Sequence, residues 1–301
     1  MADVFHAGEL AVQARAGVQQ EANRLGKGIR SAIQPAMRAF LQTQRIVVVG
    51  SVDARGAVWA SLLTGAPGFL HVENEQVLHI DATPTSHDPL NENLLANDAV
   101  GMLVIDLANR RRVRINGTAV FHPRGGLVVQ TRQAYGNCPR YIQMRHEDES
   151  SSAIFSELSS QRVTFLSDAQ QRWIAQADTF FVASFHPEGG VDASHRGGHP
   201  GFVHVLNENT LLWPDYNGNG MFQTLGNLTA SPHAGLLFID FERGHTLQLT
   251  GETRIIWDEH RTAEFIGAER LVEFSLAQGL ETTGVLPLRW RFVEYSPHNP
   301  A

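Results

Sequence analysis

One feature constrains this chain more than any other: its two halves repeat each other. The stretch VWASLLTGAPGFLHVENEQVLHID, from Val58, returns as VDASHRGGHPGFVHVLNENTLLWPD, from Val191. Pro67-Gly68-Phe69 matches Pro200-Gly201-Phe202, His71 matches His204, and Ser61 matches Ser194. NLLANDAVGMLVID (Asn93 to Asp106) matches NLTASPHAGLLFID (Asn227 to Asp240), and RRRVRINGTAV (Arg110 to Val120) matches GHTLQLTGETR (Gly244 to Arg254). The offset is 133 residues between Ser61 and Ser194 and 134 between Asn93 and Asn227, a difference of one small insertion. Several matches in one order at one offset mark a duplication, so any fold proposed for one half must serve for both.

Each copy reads as short strands with one helix. Arg45-Ile-Val-Val-Val-Gly50 is a β-branched run ended by glycine. Val58–Leu63 and Phe69–Val72 alternate like half-buried strands, Gln76–Asp81 follows a turn, and Asn91–Asn97 is a helix candidate. Val100–Asp106 and Arg112–Phe121 read as further strands. The second copy repeats the series from Thr179 to Ile256. Strands joined by short turns predict a mainly β architecture, a closed antiparallel barrel with flanking helices, made twice in tandem. The expected divisions are a helical segment over 1–42, a first barrel over 43–149, a helical connector over 150–177 and a second barrel over 178–301. Asp168 is the expected N-cap of the connector's second helix. A helix is expected near Ala263–Phe274, and a final strand over Leu288–Glu294.

Composition narrows the chemistry. Hydrophobic residues are 43% of the 301 and charged residues 18%, enough apolar mass for two cores. The net charge of −7 argues against a nucleic-acid partner. The arginines 110, 111, 112 and 114 still form a local basic cluster that suits one phosphate. Cys138 is the single cysteine, so an intramolecular disulfide and a cysteine-based zinc site are excluded. No segment approaches the roughly 18 apolar residues of a membrane span, and the N-terminal stretch has no signal-peptide core. The expectation is a soluble, cytoplasmic protein with no membrane partner. His195, His199 and His204 are close in sequence, but glycine and proline interrupt them and no metal site is expected.

Four places carry a family resemblance. They are Ala193-Ser194-His195-Arg196, Leu211-Leu-Trp-Pro-Asp215 with Asn217-Gly-Asn219, Asn227 to Phe238, and Arg112-Val-Arg-Ile-Asn-Gly117. In these the repeat unit resembles the pyridoxamine 5′-phosphate oxidase-like, FMN-binding split-barrel superfamily, in a branch with a duplicated barrel. The resemblance implies two tandem split barrels and FMN as cofactor. It implies Arg196 as a phosphate ligand and a cofactor wrapped by the strand and loop that hold Trp213, Asp215, Asn217 and Asn219. It also places the site at the junction of two barrels, which Arg112 and Arg114 of the first copy would reach. Ser194 and Arg140 complete the candidate set; no catalytic residue is assigned. Gly197-Gly198, beside Arg196, would let backbone approach a ligand closely. The first copy has Leu63 where the second has Arg196, so the second barrel is the better equipped.

The chain departs from the true oxidases in lacking their Arg-Lys pair in the loop near Asn217, and in lacking their pyridoxal-phosphate recognition tail. Oxidation of pyridoxamine phosphate is therefore not expected. The expected function is an FMN-dependent oxidoreductase acting on a small molecule, with NAD(P)H or a partner reductase as electron source. No nicotinamide-binding glycine fingerprint is present. Two alternatives stand beside it: a non-catalytic flavin- or haem-binding protein, and a cofactor-free interaction module. A fused pair of barrels can stand alone or pair again as a homodimer.

Overall fold

The computed structural model describes residues 4–148 and 158–300. Three helices open the chain: α1 (Ala7–Arg15), α2 (Gln19–Gly26) and α3 (Pro35–Gln42). The first sheet region contains β1 (Ile46–Val52), β2 (Val58–Thr64), β3 (Leu70–Val72), β4 (Val77–Ile80), α4 (Leu90–Ala96), β5 (Ala99–Asp106), β6 (Arg111–Phe121) and β7 (Leu127–Gly136). Then come β8 (Met144–Glu147), β9 (Ser159–Val163) and α5 (Asp168–Gln176). The second region holds β10 (Thr179–His186), β11 (Gly190–Gly197), β12 (His204–Asn207), β13 (Thr210–Tyr216), α6 (Gln223–Ala230), β14 (His233–Asp240), β15 (His245–Ile256), α7 (Glu259–Thr262) and β16 (Ala268–Thr283). A last strand, β17 (Trp290–Glu294), pairs with β8.

The duplication is visible in the strand order. The first sheet runs β2-β1-β5-β6-β7-β4-β3 and the second β11-β10-β14-β15-β16-β13-β12, with antiparallel pairing throughout. Ladder registers match as well: Val49 pairs with Ser61 as Val182 pairs with Ser194, and Arg112 pairs with Ile105 as Thr246 pairs with Ile239. The fold is thus mainly β, two tandem barrels of one topology with helices on their flanks.

The β1 run is apolar without alternation because both of its faces are buried. Val47 and Val49 point into the first barrel with Leu63, Met102 and Ile115. Ile46 and Val48 point outward, into a core shared with Phe181, Ala183, Ala193 and Leu237 of the second barrel. The second barrel has its own core, including Phe180, Val182, Trp213, Phe238 and Phe274. Burying each such side chain contributes roughly 1.5–3 kcal/mol, so the shared core fastens the two barrels firmly together.

That joint is pseudo-twofold. A Cβ on Gly101 of β5 would lie 2.4 Å from the Val191 carbonyl oxygen, and one on Gly235 of β14 would lie 2.7 Å from that of Val58. Gly101 and Gly235 are repeat equivalents, as are Val58 and Val191. Each barrel therefore seats its own strand on the partner's hairpin at a glycine, the self-complementary contact of a twofold dimer reproduced inside one chain.

Three elements differ from expectation. The stretch near Ala263–Phe274 is not a helix. It begins as the turn that follows α7, which closes on Gly267 at φ 74, and continues as β16, whose Leu271 and Phe274 pair into the sheet and bury completely. The N-cap of α5 is Ser167, which accepts from the Gln170 N–H, and Asp168 is the first helical residue. The connector also supplies a strand, β9, which pairs with β16. Its first expected helical piece lies largely outside the described residues. Among the described residues, no helix is long and apolar enough to cross a membrane.

Candidate functional site

A cleft with an empty volume of about 730 Å³, part of it open to solvent, lies where the two barrels meet. Three pieces of the second repeat form its floor and one wall: the end of β11, the end of β13, and the turn entering α6. The first repeat adds β6 and the loop after β7. Ser194, Arg196, Asp215, Asn219, Arg112, Arg114 and Arg140 all line it. The structure thus brings together residues from both repeats, separated by about a third of the chain.

Arg114 is buried and crosses between the barrels. Its Nη1 donates to Asp192 Oδ1 at 3.0 Å and to Gln223 Oε1 at 3.2 Å, and its Nη2 donates to Ser194 Oγ. Thr224 Oγ1 joins the cluster, 2.8 Å from Ser194 Oγ. Burial, the largest single effect, weakens the Arg114 cation, but Asp192, Tyr135 and Glu9 together outweigh it and hold its pKa above the usual arginine value. Ser194 is fully buried, its hydroxyl engaged with Arg114, Asp192 and Thr224.

Arg112 is different. Its side-chain contact is with His195, Nη1 to Nδ1 at 3.0 Å. A guanidinium can only donate, so His195 Nδ1 accepts and the ring proton sits on Nε2. Burial, then Arg112 and Arg196, push the His195 pKa well below 6.5 and keep the ring neutral. Burial together with the neighbouring Arg114 lowers Arg112 to about 9. The buried Nε atoms of Arg112 and Arg196 and Nε2 of His195 have no hydrogen-bond partner among the described residues. Buried donors of this kind are normally satisfied, so water or a bound acceptor must complete them.

Four arginines line the cleft, Arg112, Arg114, Arg140 and Arg196, and Arg270 sits behind its wall against Asp215 and Phe222. Asp192 pairs with Arg114. Asp215 lies 3.7 Å from Arg196 and 3.4 Å from Arg270, which also meets Glu269. No carboxylate pairs with Arg112 or Arg140 among the described residues. The site therefore carries excess positive charge inside a net acidic protein. The N-terminus of α6 adds to it: Phe222 at the N-cap has φ 60 and no side chain caps the helix. The first-turn N–H groups and the helix dipole favour an anion there.

The walls are aromatic. Tyr141 and Tyr216 face each other across the two repeats at 5.3 Å, and Phe202 and Phe222 line the inner part. Arg270 stacks on Phe222 at 4.7 Å, supporting its left-handed backbone. Two loops close over the rim: Arg140 Nη1 donates to Asn217 Oδ1 at 2.5 Å, Tyr141 Oη to the Asn217 carbonyl at 2.8 Å, and Asn219 Nδ2 to Asn137 Oδ1 at 2.7 Å.

Several expectations need correction. Trp213 does not line the cleft; it packs edge-on against Phe180 in the second barrel's core. The β13 side chains there fill the barrel interior, and only its last residues reach the open end where the cleft lies. Asn217 sits at the rim rather than in the wall. Gly197 and Gly198 do not clear space for a ligand. A Cβ on Gly197 would meet the Tyr141 carbonyl oxygen at 2.1 Å, and one on Gly198 would meet the Phe202 ring. The loop near Asn217 has no arginine of its own, yet Arg140 of the first repeat brings a cation to it. Sequence reasoning missed Arg270, which lies in no motif, and Asp192, which stands directly before Ala193 in the repeat where the first copy has Trp59. The three close histidines diverge: His195 meets Arg112, His199 meets Tyr295, and His204 meets Phe265.

Fold and cleft together define a duplicated split-barrel protein with a cleft at the barrel junction. A model of the pyridoxamine 5′-phosphate oxidase family matches the sequence twice, over residues 33–158 and 166–289, well over half the chain. The chain belongs to that family. A search of curated proteins returns no match. Solved structures of similar fold include HupZ of Group A Streptococcus (TM-score 0.30, 10% identity, covering 37% of this chain and 90% of that one). Another is a Clostridium acetobutylicum protein related to general stress protein 26 (0.29, 12%, 40% and 89%). A third is an FAD binding protein from Mycobacterium smegmatis (0.27, 17%, 40% and 98%).

Proposed function

We propose that the cleft binds FMN and that the protein is an oxidoreductase acting on a small molecule, with NAD(P)H or a partner reductase as electron source. The family includes flavin-binding proteins. The observation that carries the reading is Arg112: a largely desolvated cation with no carboxylate partner among the described residues, near Arg196, in the cleft that the uncapped start of α6 also lines. A phosphate supplies the missing charge and accepts from the orphaned donors through charge-assisted bonds. The aromatic walls suit a flat ring system.

In this reading Arg112, Arg196 and the first turn of α6 hold the phosphate. Arg114 is tied to Asp192 and Ser194 and positions β6 against β11. Tyr141, Tyr216 and Phe222 border the ring and exclude water. Hydride or electron transfer is the chemistry that the flavin supplies when bound. His195, held neutral, lends no proton to that chemistry; it orients Arg112.

The test is direct. Protein purified without added cofactor is examined for visible absorbance, and any released chromophore is identified by mass. A yellow protein releasing FMN supports the reading, and turnover of NADH or NADPH with a dye extends it to catalysis. A colourless protein that does not bind added FMN overturns it, and a haem spectrum replaces it. Arg112→Ala is expected to weaken FMN binding by about tenfold to a hundredfold, the worth of a hydrogen bond to a charged group. Fluorescence titration measures this, with circular dichroism as the check on folding.

A further inference from the structure

A twofold dimer of barrels has two equivalent junction sites. Here the second junction lies where β2 of the first repeat meets β15 of the second. Matched registers fix the correspondence: Ser61 stands for Ser194, Leu63 for Arg196, Thr246 for Arg112 and Gln248 for Arg114. The cross-barrel contact survives, since Gln248 Nε2 donates to Ser61 Oγ at 3.2 Å just as Arg114 reaches Ser194. The charge does not survive. Every arginine of that set has become a neutral residue.

We infer that the chain holds one anion-binding site, not two, and that the second junction has been rebuilt as a closed structural clamp around Asp88. The inference rests on reading the open cleft as an anion site. Asp88 is the clamp's centre. Ser61 Oγ donates to its Oδ1 at 2.5 Å, Gln248 Nε2 to its Oδ2 at 3.2 Å, and the Leu90 N–H to its Oδ1 at 2.9 Å. Leu90 opens α4, the repeat equivalent of α6. The helix end that lies uncapped at the open cleft is thus taken, in the other half, by the protein's own carboxylate. Thr246, Gln248 and Leu63 are each at most 2% exposed, so the positions that stand for the three arginines are sealed; the open cavity that Asp88 borders is lined instead by Asp53, Arg55, Trp59, Ser86 and Arg162. A further anion at those sealed positions would face the Asp88 carboxylate, and Leu63, Thr246 and Gln248 offer it no cation.

Equilibrium dialysis of the intact protein against FMN tests this. The expected result is saturation at one FMN per chain, lost by tenfold or more in affinity when Arg112 and Arg196 are both replaced by alanine. Asp88→Asn is expected to leave the count at one, because removing the carboxylate does not restore the missing arginines. Two equivalents per chain, in the native protein or in Asp88→Asn, overturn the single-site inference while leaving FMN binding intact. One equivalent that is indifferent to the arginine changes shows that the site lies elsewhere and overturns it too. No bound FMN at all overturns both this inference and the proposed cofactor. Should Asp88→Asn not fold, the native count and the arginine variant still decide the matter.

Discussion

Glu9 shows how a single residue ties the N-terminal helix to the cleft. It lies on α1, buried against α6, and its Oε2 accepts from the His6 N–H at 2.8 Å in a capping box. A Cβ on Gly226 would meet Glu9 at 2.6 Å, so the two helices touch at backbone distance. Burial raises the Glu9 carboxyl to about 7, with the nearby Asp192 adding to the effect. The folded protein thus holds this proton more tightly than the unfolded chain does. The associated stability is present at acid pH and is lost as pH rises from about 4.5 to about 7. A rise of that size is worth roughly 3 kcal/mol. Glu9→Gln keeps the hydrogen-bond acceptor and removes the charge. It is expected to match the native protein near pH 4.5 and to exceed its stability at pH 8 by up to roughly 3 kcal/mol. Denaturant titrations of both proteins at the two pH values measure the difference; equal stability at pH 8 would refute the assignment. At this scale the sequence shows the arginines of the cleft but not their partners. Arg112 and Arg114 differ in character because one meets His195 and the other Asp192, and both partners come from a strand about 80 residues away.

Among the elements, α5 offers the sharpest test of local reading. Ser167 and Asp168 are both good capping residues and stand side by side. The structure chooses Ser167, with Gln170 completing the capping box. Ser167→Ala should cost about 1 kcal/mol of stability, and Asp168→Ala only a few tenths from the lost dipole interaction. Chemical denaturation of the two variants checks the order. The expected helix near Ala263–Phe274 failed for a physical reason. Its apolar residues fall at near-helical spacing, but β13 and β15 flank that position, and a strand there completes hydrogen bonds on both sides. Tertiary pairing overrides a short-range pattern when the backbone groups of two neighbours would otherwise go unpaired.

At the scale of the whole molecule, the joint between barrels decides whether the cleft exists. Gly101 and Gly235 are close backbone approaches across it, and they are equivalent by repeat. Alanine at either one forces β5 from β11 or β14 from β2, an overpacking cost of about 1–3 kcal/mol or more. Thermal unfolding should show similar losses for the two variants. Ligand binding should separate them: Gly101→Ala displaces β11, which carries Arg196, whereas Gly235→Ala acts on the hairpin of the closed junction. Comparable loss of FMN affinity in both would contradict the asymmetry between the junctions.

The duplication, the mainly β class and most strands could be read directly from the chain, because repeats and apolar runs are local patterns that burial imposes on neighbouring residues. The arginines of the site could be read too, since a cation in a strand is conspicuous. What only the tertiary structure decided is which of them lack a counter-charge. Asp192 neutralises Arg114, Asp215 restrains Arg196 and Arg270, and Arg112 meets no carboxylate among the described residues. It also decided that Trp213 fills a core while Arg140 crosses to the other repeat's loop. Charge balance and burial depend on distances through space, and the packing of one barrel on the other sets those distances.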